Sequence, residues 1–409
     1  MSNKTYFFLI LILGSLTALG PFSIDMYLPG FPAIAKDLHT TAAKVSLSLS
    51  GFFIGISAGQ LLYGPLLDRF GRKKPLYIGL ILYIFASIGC AFATDINSLI
   101  ILRFVQAVGS CAATVASVAM VRDLFPVSDS AKVFSLLLLV VGASPMIAPT
   151  LGGYVTVAFG WQSVFVILTI MGVGILIATW LWLPDSYKPD TTLSLKPKPI
   201  VLNFITVTAE PQFYTYALTG AIAFSGLFAY VAGSPLVFME VFQVSGEVYG
   251  WIFALLSIGF IGSSQLNTLF LRRFRSEQLV YKALIGQVTV SIIFLICALN
   301  GLLDLSLTLA LIFFFLCCIG FVYPNAAALS LAPFSKNAGS ASAVMGALQM
   351  GAGAAISVLI SLFEVPSLVP MVAAMAISSL FALLVLIIGK RTIIRQVGVI
   401  EGSDSGLIH

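Results

Sequence analysis

A chain of 409 residues in which 59% are hydrophobic and 9% charged is not a water-soluble domain, where about a quarter of residues carry charge. A mean hydropathy of +1.06 places it in a bilayer, and the net charge of +5 reflects the loops of one membrane face rather than affinity for nucleic acid. The five cysteines (Cys90, Cys111, Cys297, Cys317, Cys318) are odd in number and sit in apolar runs, which excludes a disulfide framework or a thiolate metal site and leaves them as packing residues.

In chain order, about twelve apolar runs are long enough to cross a hydrocarbon core roughly 30 Å thick. The predicted spans are 6–28 (or on to Ala35), 45–66, 75–94, 98–121, 133–158, 162–183, 212–238, 248–271, 280–300, 305–332, 338–363 and 367–389. Residues 1–13 carry Lys4 ahead of an apolar run in the manner of a signal peptide. No small-residue cleavage pattern ends them and further spans follow, so they are read as a retained first helix. Lys and Arg concentrate in short cytoplasmic loops. With the N-terminus inside, 18 of the 21 basic residues fall in inner segments, the outer segments hold Lys36 and Lys44, and Arg103 lies within the fourth span. The bias predicts that both termini are cytoplasmic.

The longest polar interruption, from Pro184 to Thr208, divides the chain into two six-span halves. The expected organisation is residues 1–184, a linker at 185–210, residues 211–390 and a cytoplasmic tail at 391–409. Leu66-Leu67-Asp68-Arg69-Phe70 after span two is echoed by Phe270-Leu271-Arg272-Arg273-Phe274 after span eight. Paired halves of this kind are the plan of many secondary transporters, with the site near the midplane between them.

Once loops and helix ends are assigned, one carboxylate and one guanidinium remain within the spans, Asp25 and Arg103. Ionisable groups at membrane depth mark function by default. If span one ends near Pro29, Asp25 lies about 6 Å, and Arg103 about 7–8 Å, below the outer ends of their spans. If span one runs through Pro29 and Pro32 to Ala35, Asp25 moves to about 15 Å and the depths no longer match. The two residues either snorkel to the outer interface, or line a hydrated cavity in which Asp25 takes up and releases a proton. Arg103 keeps its charge and would tune Asp25 or occupy its carboxylate. Gln106 and Ser110 share the helical face of Arg103, and Gly109 permits close helix approach; cavity wall and interhelical hydrogen bonding both fit.

Gly64, Asp68, Arg69, Gly71, Arg72, Lys73 and Lys74 form the most specific string in the chain. The glycines are expected to let the chain turn tightly, and Asp68 to pair with a basic group such as Arg122. A simple basic loop would explain the Arg and Lys residues but not the Gly-Asp-Gly pattern.

These residues resemble the loop-two signature of the major facilitator superfamily, and Leu102-Arg103-Phe104-Val105-Gln106-Ala107-Val108-Gly109 resembles its fourth-helix motif. Residues 142–153, with Gly142, Pro145, Pro149, Gly152 and Gly153, are similar to the fifth-helix motif of antiporters. Ser23-Ile24-Asp25-Met26-Tyr27-Leu28-Pro29 and Val121-Arg122-Asp123-Leu124-Phe125 narrow the resemblance to bacterial drug:proton antiporters of the bicyclomycin- and chloramphenicol-resistance type. Gly339-Ser340-Ala341-Ser342-Ala343 and Phe321-Val322-Tyr323-Pro324-Asn325-Ala326 agree with it.

The resemblance implies an all-α major facilitator fold in an inner membrane, alternating access, and exchange of external protons for an internal drug-like compound. It gives Asp25 the proton-linked role with Arg103 as its partner, and Gly64, Asp68, Arg69, Gly71, Arg72 and Arg122 an inner gate. Two positions depart from the pattern. Ala143-Ser144-Pro145 stands where a Gly-Pro pair is usual, and Arg272-Arg273-Phe274-Arg275 has lost the acid and glycines of the second-half loop, so an asymmetric gate is expected.

Aromatic and adaptable side chains suit a cavity for varied apolar compounds. The candidates are Met26, Tyr27, Gln106, Met146, Phe224, Phe228, Tyr230, Tyr323, Asn325, Met345 and Gln349; the apolar ones also fit ordinary packing. No nucleotide-binding loop or soluble catalytic domain is visible. His39 and His409 lack the partners of metal or nucleophilic chemistry. The expectation is therefore a monomeric, proton-driven exporter with no cofactor and no metal, its partners being the substrate, protons and the bilayer. A sugar or metabolite permease of the same fold is the alternative; a polytopic membrane enzyme or receptor is weaker.

Overall fold

The computed structural model describes residues 3–125, 127–187, 189, 197–334, 338–363, 367–394 and 397. Lys188, Lys196, Lys336, Arg395 and most of the 391–409 tail, which enter the charge reading above, lie outside the described residues.

Every regular element is helical: α1 (Asn3–Asp25), α2 (Phe31–Asp37), α3 (Ala42–Phe70), α4 (Lys73–Ala91), α5 (Ile96–Leu124), α6 (Val127–Phe159) and α7 (Gln162–Trp182), then α8 (Pro197–Thr208), α9 (Pro211–Pro235), α10 (Gly246–Phe270), α11 (Ser276–Leu299), α12 (Leu305–Leu331), α13 (Ala338–Ser361) and α14 (Val369–Lys390). Among the described residues, twelve segments are long and apolar enough to cross a membrane, α1 and α2 counting together as Tyr6–Asp37. The chain is a multi-pass membrane protein. Helix is the form a lone chain segment takes in lipid because it satisfies every backbone polar group internally.

Local signals start several helices where the chain re-enters. The side chains of Thr41, Asp95, Ser245 and Asp304 accept the first free amides of α3, α5, α10 and α12, the ordinary N-cap arrangement. Gly71, at φ +81°, reverses the chain between α3 and α4 in a conformation that favours glycine. Gly64 does not share that role. It lies inside α3 with open space where a Cβ would project, so the expectation that both glycines make the turn holds for Gly71 alone.

Within the first half α5 is the centre, packed on α1, α3 and α4. Gly109 makes this possible: a Cβ there would meet backbone atoms of Gly79 and Tyr83 at 2.6 Å. The second half is built from α9 to α14, with α9 against α12, α13 and α14. The halves meet along α3 with α13 and α6 with α10. Ser50 and Ser357 hydrogen-bond at 2.7 Å, Ser57 donates to the Ala347 carbonyl at 2.9 Å, and the Phe53 and Phe228 rings lie 4.5 Å apart.

The predicted linker contains a helix, α8, that sequence reading took for irregular chain. Pro197 and Pro199 fall in its first turn, where a missing N–H leaves no intrahelical bond unmade. Val207 is buried against the bundle with Ile200 and Phe204 half-buried, while Val201, Leu202 and Ile205 are exposed. Too short to span, α8 has the pattern of a helix lying in the membrane interface.

Candidate functional site: a broken helix and a basic-end charge cluster

The prolines of span one bend it rather than end it. After α1 stops at Asp25, a short tight turn over Leu28–Gly30 leads into α2. Pro29 and Pro32 supply no amide hydrogens; the Met26 amide still donates to the Phe22 carbonyl at 3.1 Å in the manner of α1, whereas that of Gly30 makes only the shorter-range bond to Tyr27, at 2.9 Å. Asp25 therefore sits in the interior of a 32-residue span, not at an outer boundary.

The Ser23 carbonyl at the break accepts from Arg103 Nη2 at 2.8 Å. Arg103 is fully buried, at 0% exposure. Its Nη1 donates to Gln106 Oε1 at 2.5 Å, and Gln106 Nε2 donates to Ser87 Oγ at 2.7 Å. The rings of Tyr27 and Phe52 each lie 4.2 Å from the guanidinium carbon, geometry in which an aromatic face stabilises a cation. Tyr27 is held in turn by Ser48, at 3.1 Å.

The expected pairing of Arg103 with the Asp25 carboxylate is not present. Among the described residues, no ion pair or hydrogen bond reaches that carboxylate, and Arg103 is committed to Ser23, Gln106 and the two rings. The physical reason is azimuth: equal depth along two helices does not bring side chains to the same face. Asp25, at 6% exposure, lies instead within electrostatic range of Tyr230 and Tyr249 in the other half. Tyr249 shares a hydrogen bond with Ser234 at 2.8 Å, whereas the buried Tyr230 hydroxyl has no partner. The Tyr230 ring stacks on Phe253 at 5.3 Å.

Backbone contact between the halves closes over this break. A Cβ on Gly152 would collide with the Met26 carbonyl, and one on Gly153 with the Gly246 carbonyl; a Cβ on Gly250 would meet Thr150 Cα at 2.6 Å. Gly152 and Gly153 thus bring α6 against both the α1 break and the start of α10. Gly142 has only ordinary contacts to Ile261, and Pro145 and Pro149 lie within the continuous α6.

The proposed cavity residues separate into groups. Tyr323 donates to Gln349 at 2.8 Å and stacks on Phe224 at 4.7 Å, while Phe224 meets Phe228 at 5.3 Å. Tyr323, Met345 and Gln349 line one small cavity with Tyr216 and Gly220. A larger one, about 490 Å³, lies beside it at the seam of α3, α9 and α13 under Phe204, walled by Leu61, Leu218, Ile222 and Val344, with Ser57 supplying the side-chain hydroxyl. Its volume suits a drug-sized molecule. Seven candidates are packing or network residues instead of lining either cavity: Gln106 in the Arg103 chain, Met26, Tyr27, Phe224, Phe228 and Tyr230 in the core, and Asn325, whose amide donates to Asn267 at 2.7 Å. Met146 is half-buried on α6.

At the end of the bundle that carries the termini, Arg72 organises the charges. Its Nη1 donates to Asp68 at 2.6 Å, its Nε to Asp123 at 2.8 Å and its Nη2 to the other Asp123 oxygen at 3.4 Å. Asp68 was expected to find Arg122, but Arg72, four residues on in sequence, reaches it and Arg122 is exposed. Arg69 lies over Phe70. Asp123 was not expected in this cluster although it stands in the Val121–Phe125 motif, because Arg122 is the basic member that an acidic Asp68 would call for. Also missed were Ser186, whose hydroxyl donates to Asp123 at 3.2 Å, and Tyr187, whose ring lies 4.1 Å from the Arg72 guanidinium. A hydroxyl and a phenol in a linker carry no sequence signal of that kind.

A family model described as Major Facilitator Superfamily matches residues 13–358. The chain is 32% identical to an uncharacterized MFS-type transporter, YdgK, of Bacillus subtilis, over 92% of this chain and 94% of that one. It is 30% identical to a bicyclomycin resistance protein homolog of Haemophilus influenzae, over 90% of this chain and 92% of the relative. In structure it resembles a D-xylose-proton symporter with a TM-score of 0.72 at 14% identity, over 92% of this chain and 97% of the other, a likeness of fold. With a broken first span, paired halves and the loop-two charge cluster in place, the chain belongs to the major facilitator superfamily.

Proposed function

We propose that this protein is a proton-coupled antiporter that exports drug-like small molecules across a bacterial inner membrane, working as a monomer with both termini in the cytoplasm and needing no cofactor beyond the proton gradient. The observation that carries the reading is Asp25: a buried carboxylate at a helix break, free of any internal cation among the described residues, turned toward the opposite half. A carboxylate so placed is stable when it holds a proton or meets a cationic or hydrogen-bonding ligand. Exchange of one for the other at the junction of two rocking halves is the elementary step of antiport.

Arg103 serves this step at one remove. By fixing the Ser23 carbonyl it holds the end of α1, and with it the backbone that presents Asp25. The substrate space is apolar, with Tyr323 and Gln349 as its hydrogen-bonding pair, which favours lipophilic compounds over sugars. The bicyclomycin-resistance name of the Haemophilus relative favours an antibiotic as substrate.

Inverted membrane vesicles containing the full chain provide the test. An acid-inside gradient should drive accumulation of an apolar drug-like antibiotic such as chloramphenicol into the lumen, and collapsing the gradient should release it. Accumulation indifferent to the gradient would contradict the reading.

A further inference from the structure

The Arg72 cluster has a third arm that belongs to neither α3–α4 nor α5. Residues 185–187 and Pro189, at the start of the segment joining the two halves, lie across the turn at Gly71: a Cβ on Gly71 would meet Pro189 Cγ at 3.3 Å and the Tyr187 carbonyl at 3.5 Å. Lys73 pairs with Asp185 at 3.5 Å, a largely exposed contact of little weight. The contacts of Ser186 and Tyr187 are different in kind. Arg72 is 9% exposed and Asp123 15%, so the hydroxyl of Ser186 and the ring of Tyr187 complete the surroundings of a shielded ion pair. Carboxylates hold the edge of the guanidinium, and Tyr187 covers its face.

We propose that Ser186 and Tyr187 are positioning residues of the inner gate, and that their docking on Asp123 and Arg72 sets the balance between the inward- and outward-open states of the transporter. Geometry supplies the link. With Pro189 seated on Gly71, residues 190–196 connect that point to α8, and even fully extended they reach at most about 28 Å. Since α8 packs on α9 and α13, the seated segment tethers the second half to the inner edge of the first. Released back to Leu183, the same connection could reach about 50 Å. The seated arrangement accompanies the state in which the outer ends are packed, through Gly153 with Gly246 and Gly250 with Thr150. Closing the inner ends in the opposite state brings the second half onto the edge that Ser186, Tyr187 and Pro189 cover, so these residues must lift or slide. The inference holds whatever the chain transports.

The test uses the full chain in lipid nanodiscs, in a background with its native cysteines replaced that retains transport. Spin labels at Lys44→Cys and Gln243→Cys report the outer opening, and labels at Lys74→Cys and Arg273→Cys the inner one. Tyr187→Ala should raise the outward-open to inward-open ratio about 3- to 10-fold, the range a lost cation–π contact supplies. Tyr187→Phe, which keeps the ring, should stay within about twofold of the parent, and Ser186→Ala should shift the ratio in the same direction as Tyr187→Ala but less. Tyr187→Ala with an unchanged distance distribution, or Tyr187→Phe shifting it as far as Tyr187→Ala, would overturn the proposal. Should Tyr187→Ala fail to fold, Ser186→Ala and Tyr187→Phe decide it: no shift for the first, or a large one for the second, overturns it. No drug or pH gradient enters the measurement, so its failure is separable from failure of the antiport reading.

Discussion

A guanidinium buried without a carboxylate in reach must be stabilised by dipoles and rings, and Arg103 shows how: a carbonyl released by a helix break, an amide fixed by Ser87, and two aromatic faces at 4.2 Å. Lysine can retain charge there but not the planar fork that reaches Ser23 and Gln106 together. Arg103→Lys is expected to cost about 2–4 kcal/mol, seen as a lower thermal midpoint of the purified protein, and to lower transport with it. An unchanged midpoint would show that the fork does not hold α1. That Asp25 and Arg103 lie buried within the spans was legible in the sequence because charges within apolar runs are rare. Their relation was not: rise per residue gives depth, while the direction a side chain takes depends on the packing of α1 on α5. Tyr230 and Tyr249, two among many aromatics, became neighbours of Asp25 only through the meeting of the halves.

At the scale of elements, the break in span one and the glycines of α6 form one device. Pro29 and Pro32 interrupt the backbone bonding, and Gly152 lets α6 approach the buried Met26 backbone. Gly152→Ala should therefore destabilise by about 1–3 kcal/mol through overpacking against backbone that cannot yield. Gly142→Ala, whose new methyl would sit 3.7 Å from Ile261, should be neutral or stabilise by up to about 1 kcal/mol, because alanine is the better helix former. Thermal unfolding of the two variants side by side checks the contrast; equal effects would mean that the α6–α1 approach does not limit packing. Proline spacing marked the site of the break in span one without deciding between an end and a bend, whereas the spans were readable from apolar runs. α8 was not, since Lys-Pro-Lys-Pro reads as linker until the helix that follows places both prolines in its first turn.

On the scale of the molecule, two helical halves touch along α3–α13 and α6–α10, and the buried carboxylate of Asp25 belongs to one half while Tyr230 and Tyr249, within its electrostatic range, belong to the other. Two-half organisation was legible from the central polar interruption and the echo of the loop-two string. The seat of Ser186 and Tyr187 on the Arg72 cluster was not, because it depends on chain path rather than composition. The account's central claim is that Asp25 carries the proton. It is tested most directly in proteoliposomes that measure two activities of wild type and Asp25→Asn: drug uptake driven by a pH gradient, and exchange of labelled for unlabelled drug with no gradient. Wild type should perform both, and Asp25→Asn should keep exchange while losing at least about 90% of gradient-driven uptake, since an amide cannot take up and release a proton in this range. Gradient-driven accumulation by Asp25→Asn equal to that of wild type would contradict the claim.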